Sequence, residues 1–172
     1  MSDGSMGGIT DEETIDGEAR PARMPGLFRP VDREPDMHRA LRAITGGLVG
    51  TMVLGGFLLV LDTQARGTLS VAAVVGRFLG IDGRPLIAIA LFAIVTVVVW
   101  PALFVAIEEY LPFGPDPAAR AVAFAAIIGI VFVVVGRGSI TGPILVIYVG
   151  FSVLAHLAYG FAFGSIYGRL AG

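Results

Sequence analysis

The chain has 172 residues, 55% of them hydrophobic and only 15% charged, with a formal net charge of -2 and no cysteine. That apolar weight lies above an ordinary soluble domain, and the charge balance lacks the basic footprint that nucleic acid requires. Without cysteine there are no disulfides, thiolate metal sites or cysteine nucleophiles.

Charge is segregated along the chain. Nine of the 14 acidic residues and six of the 12 basic ones precede residue 43. Residues 1–36 mix acid, glycine and proline without apolar periodicity, which predicts a disordered or loosely draped tail. Its acidic start is unlike a secretory signal. MHRALR (residues 37–42) then opens a helix with a basic collar that carries His38. Every basic residue is arginine. With the acidic tail, this usage resembles the composition of proteins from salt-loving archaea.

Four long apolar runs follow, and residues 37–172 read as one membrane domain. A hydrocarbon core about 30 Å thick needs roughly 20 helical residues. Residues 43–61, 85–107, 117–135 and 143–167 each meet that length. Lipid offers no hydrogen bonds to backbone groups, so such runs must be helical. Asp116 and Pro117 form a start signal for the third run. Residues 68–79, TLSVAAVVGRFLG with its last glycine, are too short to span. They predict a short helix, either lying in the interface or capping the bundle. The fold class expected is all-α: a four-transmembrane-helix bundle with this short helix between the first two spans. Arginines near span ends divide six (29, 33, 39, 42, 120, 169) against four (66, 77, 84, 137), which favours cytoplasmic termini in the cell membrane.

Glycine spacing suggests where helices meet. The first span carries Gly46, Gly50 and Gly55; the last carries Gly160, Gly164 and Gly168 on one stripe. Small residues let backbones approach closely inside a bilayer, so these two helices are the expected tight pair, with homodimerisation through the same glycines as the alternative. Trp100-Pro101 interrupts the second span and predicts a kink, with or without a cavity beneath it.

The candidate for chemistry is His156. At helical spacing Tyr148, Ser152, His156 and Tyr159 form a polar stripe in the last span. An ionisable group at mid-membrane is a functional hypothesis by default, yet burial favours the neutral ring. The leading reading is therefore a hydrogen bond to a neighbouring helix. Haem ligation and proton handling are the alternatives, and no cofactor is otherwise expected. The only second histidine, His38, lies at the mouth of the first span, about half a membrane away in depth. Glu108 and Glu109 point about 100° apart on a helix and read as an exposed helix end. Arg137 reads as an orienting arginine at a span end, with a lipid phosphate as its alternative partner. There is no phosphate loop, zinc spacing or nucleophile elbow, hence no catalytic constellation.

The segments VVWPALFVAIEEYLPFGPDPAARAVAF, GRGSITGPILVIYVGF and AHLAYGFAFGSIYG resemble a family of small haloarchaeal four-helix membrane proteins of unknown function. The likeness covers roughly residues 40–168, and its most specific part runs from His156 through Tyr159, Gly160, Gly164 and Tyr167 to Gly168. Some such proteins carry labels tying them to cytochrome c oxidase. The resemblance implies at most a small accessory subunit and carries over no catalytic residue. The expectation is a non-enzymatic multi-pass protein serving as an accessory or assembly component of a larger membrane complex, a respiratory one among the candidates. Its expected partners are the bilayer and other membrane subunits or further copies of itself. A haem-carrying subunit and a small oligomeric transporter or channel are the competing classes.

Overall fold

A computed structural model of the protein describes residues 36–65 and 69–171. The expected tail lies outside the described residues apart from Asp36, which begins the first helix. The described chain forms α1 (Asp36–Gln64), α2 (Val71–Leu79), α3 (Pro85–Ile94), a π-helical turn (Val95–Val99), α4 (Trp100–Ile107), α5 (Pro117–Gly136) and α6 (Pro143–Arg169). Four stretches are long and apolar enough to cross a membrane: Met37–Gln64, Pro85–Tyr110, Pro117–Gly136 and Pro143–Arg169. Each runs somewhat beyond the bare apolar run, because helix hydrogen bonding continues into the polar flanks. α3, the π turn and α4 together make the second span.

The starts of these helices are chemically marked. Asp116 accepts from the Ala118 N–H at 2.9 Å and Pro117 takes the first helical position. Ser70 accepts from Ala73 N–H at 3.3 Å, so α2 begins at Val71, three residues after the sequence suggests. It ends at Gly80, whose φ of 69° lies in the left-handed region that glycine adopts without strain.

α2 turns its apolar face inward. Val71, Val74 and Val75 are buried, and Arg77 donates to the last carbonyl of α5, Gly136 O, at 3.0 Å. Asp62, near the end of α1, accepts from Val71 N–H at 2.9 Å. The short helix thus closes one end of the bundle and is held by α1, α3 and α5.

α6 is the central helix and packs along both α1 and α5. It does so with two neighbouring stripes. Tyr159 and Phe163 reach toward α1, where a Cβ on Gly50 would lie 2.9 Å from the Tyr159 ring and one on Gly46 2.8 Å from Phe163 O. Gly160 and Gly164, one residue further round, open onto α5. A Cβ on Gly160 would meet Ala121 O at 2.6 Å, and one on Gly164 would meet Ala118 Cα at 2.7 Å. Gly168 faces Pro117 more loosely, at 3.3 Å. The glycines of the first and last spans therefore do not face one another. Adjacent helix positions point about 100° apart, so α6 lays aromatics into α1's glycine notch and its own glycines against α5. Gly55 meets nothing within 4 Å.

These contacts rank the glycines. Gly164→Leu should lower the melting temperature in detergent by roughly 5 °C or more, since overpacking at a closed crossing cannot relax. Gly55→Leu should leave it unchanged or slightly raised. Equal losses in thermal unfolding of the two variants would overturn this placement.

Candidate functional site

The polar residues of α6 lie within the interior. Tyr148, Ser152, His156 and Tyr159 are all fully buried. They share a stripe, but their polar atoms do not converge on a common ligand position. The Tyr148 hydroxyl donates to Phe132 O of α5 at 3.0 Å, and Gly136 leaves the space for it. His156 Nδ1 lies 2.7 Å from Ser152 O on its own helix. A carbonyl only accepts, so Nδ1 carries the hydrogen and Nε2 is a bare lone pair. That atom is buried and has no hydrogen-bond partner among the described residues. The imidazole is held between Phe132 and Trp100, with ring centres at 5.0 and 5.8 Å. The expected bond across helices is thus replaced by one within α6.

Tyr159 makes the cross-helix bond instead. Its hydroxyl donates to Thr96 O at 2.7 Å. That carbonyl is available for a definite reason. In the π turn, Trp100 N–H reaches back to Val95 O, five residues away. The next residue, Pro101, has no N–H. Thr96 O therefore has neither of the donors that a helix would supply, and an unpaired carbonyl in a bilayer is costly. Thr51 of α1 completes the node: its hydroxyl is 2.9 Å from Thr96 Oγ1 and 2.7 Å from Gly47 O. Thr96 Oγ1 in turn donates to Ala93 O at 3.1 Å. Gly47 lies against the break, where a Cβ would come within 2.5 Å of Pro101 Cγ and 2.6 Å of Val97 O. At Pro101, where the sequence predicts a kink, the helix changes its hydrogen-bonding pattern through the π turn. The space beside it is taken by the α1 backbone.

A second polar cluster lies at the end of the bundle shared by the start of α1 and the end of α6. Arg39 forms an ion pair with Glu108, donates from Nε to the Tyr167 hydroxyl at 3.2 Å and from Nη2 to Val105 O at 3.3 Å. Tyr167 donates to Glu108 Oε1 at 3.1 Å. The Arg42 guanidinium lies 5.4 Å from the centre of the Tyr167 ring. Glu108 is therefore not an exposed helix end as the sequence suggests. Its side chain is 13% exposed, whereas Glu109 points to water. The signal available was a carboxylate closing one apolar run and an arginine opening another. Pairing them requires the topology.

Between the two clusters the interior is filled by rings. Phe104 packs edge-on to Phe163, Tyr167 and Phe124 at 5.0 to 5.8 Å, and Phe92, Trp100 and Phe132 continue the series toward α2. His38 sits exposed on the first turn of α1, well apart from the buried His156. No group of three His, Cys, Asp or Glu gathers among the described residues. Arg137 is exposed just beyond α5.

The fold and these sites define a four-span helical membrane protein with a ring-packed core, pinned by a tyrosine-to-carbonyl bond and an ion pair at one end. The chain belongs to DUF6789, a family of unknown function whose model matches residues 37–172, the whole membrane domain. No curated protein and no solved structure matches it.

Two substitutions probe the polar nodes. Tyr159→Phe removes the donor to Thr96 O and should destabilise the protein by about 1 kcal/mol, the scale of buried interhelical bonds in membranes. Detergent unfolding measures it, and an unchanged midpoint would mean that the carbonyl has another donor. Glu108→Gln should destabilise by about 2 kcal/mol through loss of charged hydrogen bonds, while Glu109→Gln should be silent. Equal effects in the same assay would sink the distinction between the two carboxylates.

Proposed function

We propose that this protein is a non-enzymatic membrane component that acts through its lipid-facing exterior as an accessory or assembly subunit of a larger membrane complex. The observation that carries the reading is the filled interior. Rings from the second span, α5 and α6 occupy the space where a pathway or cofactor would lie, and the buried hydroxyls of Tyr148 and Tyr159 end on backbone carbonyls. The exterior is apolar and broad, with side chains such as Leu86, Val146 and Met52 more than two-thirds exposed. The arginine balance supports cytoplasmic termini in the cell membrane.

A second reading, His156 as a haem ligand, has the bare Nε2 in its favour. The rings of Trp100 and Phe132 occupy its flanks and would have to move aside. Transport through a single chain is disfavoured by the same packing.

The test is the size of the protein extracted gently from its own membrane. Native electrophoresis in mild detergent should place it in an assembly that contains other polypeptides. Migration as a monomer, or as copies of itself alone, would refute the accessory role. A Soret band in the purified protein would favour the haem reading over it.

A further inference from the structure

We propose that the connection between α4 and α5 is a lipid-surface anchor, in which Tyr110 and Phe113 seat their rings at the boundary between headgroups and acyl chains. Aromatic rings in this protein otherwise belong to the interior. Among the described residues, the exposed phenylalanine, tyrosine and tryptophan side chains are Tyr110, Phe113 and Phe161. Two of these stand in this one connection, Tyr110 at 85% exposed and Phe113 at 65%. The loop is held by the fold. Leu111 turns in against the core and its N–H donates to Glu108 O at 3.3 Å, while Arg120 Nε donates to Gly114 O. Phe113 has a φ of 85°, in the left-handed region that a bulky residue enters only at a cost. A residue in that conformation that leaves most of a large apolar side chain uncovered points to a contact outside the chain.

The length of α5 sets the depth of this loop. Its 20 residues rise about 30 Å, the thickness of the hydrocarbon core. Pro117 therefore stands at one boundary of that core, and the loop before it lies in the headgroup layer. Phe113 borders the same hollow as Ala118, Ala119 and Val122, so its ring lies alongside the first turns of α5 and turns toward the hydrocarbon. A phenylalanine at this level exchanges water for acyl chain, while the loop backbone stays among hydrated headgroups. Tyr110 suits the same layer, with an apolar ring and a polar tip. The connections at the opposite end of the bundle, residues 65–70, 80–84 and 137–142, contain no aromatic residue. The anchor is thus one-sided. It rests on the membrane-spanning fold and is independent of the accessory role proposed above.

Fluorescence quenching tests the depth. Full-length Phe113→Trp is reconstituted in dioleoylphosphatidylcholine vesicles in which some lipid carries bromine, either high on the acyl chain near the carbonyl or low near its methyl end. The Trp100 signal of the parent is subtracted. The added fluorescence should be quenched about twofold more by the high bromines than by the low ones, and only weakly by acrylamide in the water. If Phe113→Trp does not fold, Tyr110→Trp takes its place. Phe113→Asn supplies a side chain that tolerates the left-handed conformation, and its melting temperature in detergent should equal or exceed the parent's. Strong acrylamide quenching would put the ring in water and overturn the proposal, as would stronger quenching by the low bromines. Fluorescence that neither quencher reaches would also overturn it and give the loop to a protein partner. A fall of several degrees for Phe113→Asn would make Phe113 a packing residue instead.

Discussion

The constraint on which the rest of this structure depends is one backbone carbonyl, Thr96 O, left without a helical donor in the middle of a membrane span. A π turn redirects the Trp100 N–H to Val95, and Pro101 contributes none. In water the carbonyl would be solvated; in lipid it must be met by protein. Tyr159 meets it from α6, while Thr51 and Gly47 of α1 close on the same break. Three spans are thereby registered against one another at a single depth. The partner of each is then largely determined. With Tyr159 turned to the second span and α1, Gly160 and Gly164 must face elsewhere, and α5 packs there.

The Arg39 cluster performs the corresponding task at one membrane end. It joins α1, the close of the second span and α6 through Glu108 and Tyr167. Between this cluster and the central node, the helices are separated by stacked and edge-on rings from Phe104 to Tyr159. Ring packing of this kind resists sliding because each ring sits in a slot shaped by its neighbours. Two directional contacts set register, and the rings fix spacing.

The four spans are legible in the sequence because the solvent leaves the chain no alternative. A run such as residues 117–135 is too apolar to be anything but helix in lipid, and Asp116-Pro117 marks its start. The stripes on α6 are legible too, since helical spacing alone places Tyr148, Ser152, His156 and Tyr159 together. Which helix each stripe meets is not. The first and last spans both carry glycines and do pack together, but Gly46 and Gly50 of α1 meet the rings of Phe163 and Tyr159, while Gly160 and Gly164 meet α5. Pro101 announces a missing donor, but nothing local distinguishes a bend from a π turn, so the identity of the orphaned carbonyl emerges only in three dimensions. The Arg39–Glu108 pair is hidden for another reason. Each residue alone satisfies the ordinary expectation for a charge at a span end, and 69 positions separate them.

His156 is held in place by shape more than by hydrogen bonding. Its Nδ1–H is used within α6, and its Nε2 meets no donor among the described residues. Hydrogen bonding therefore gives it little hold on the neighbouring helices. What the ring contributes is a flat profile. A Cβ on Gly129 would lie 2.9 Å from His156 Cβ, so α5 and α6 approach closely at this level. The imidazole enters the remaining slot between Phe132 and Trp100. A branched aliphatic chain of similar volume is thicker across that slot, and a tyrosine would bring a hydroxyl needing its own acceptor. A planar ring that satisfies one nitrogen on its own helix fits both limits. The unpaired nitrogen is the residual penalty of that fit, and it is tolerable because the ring is neutral.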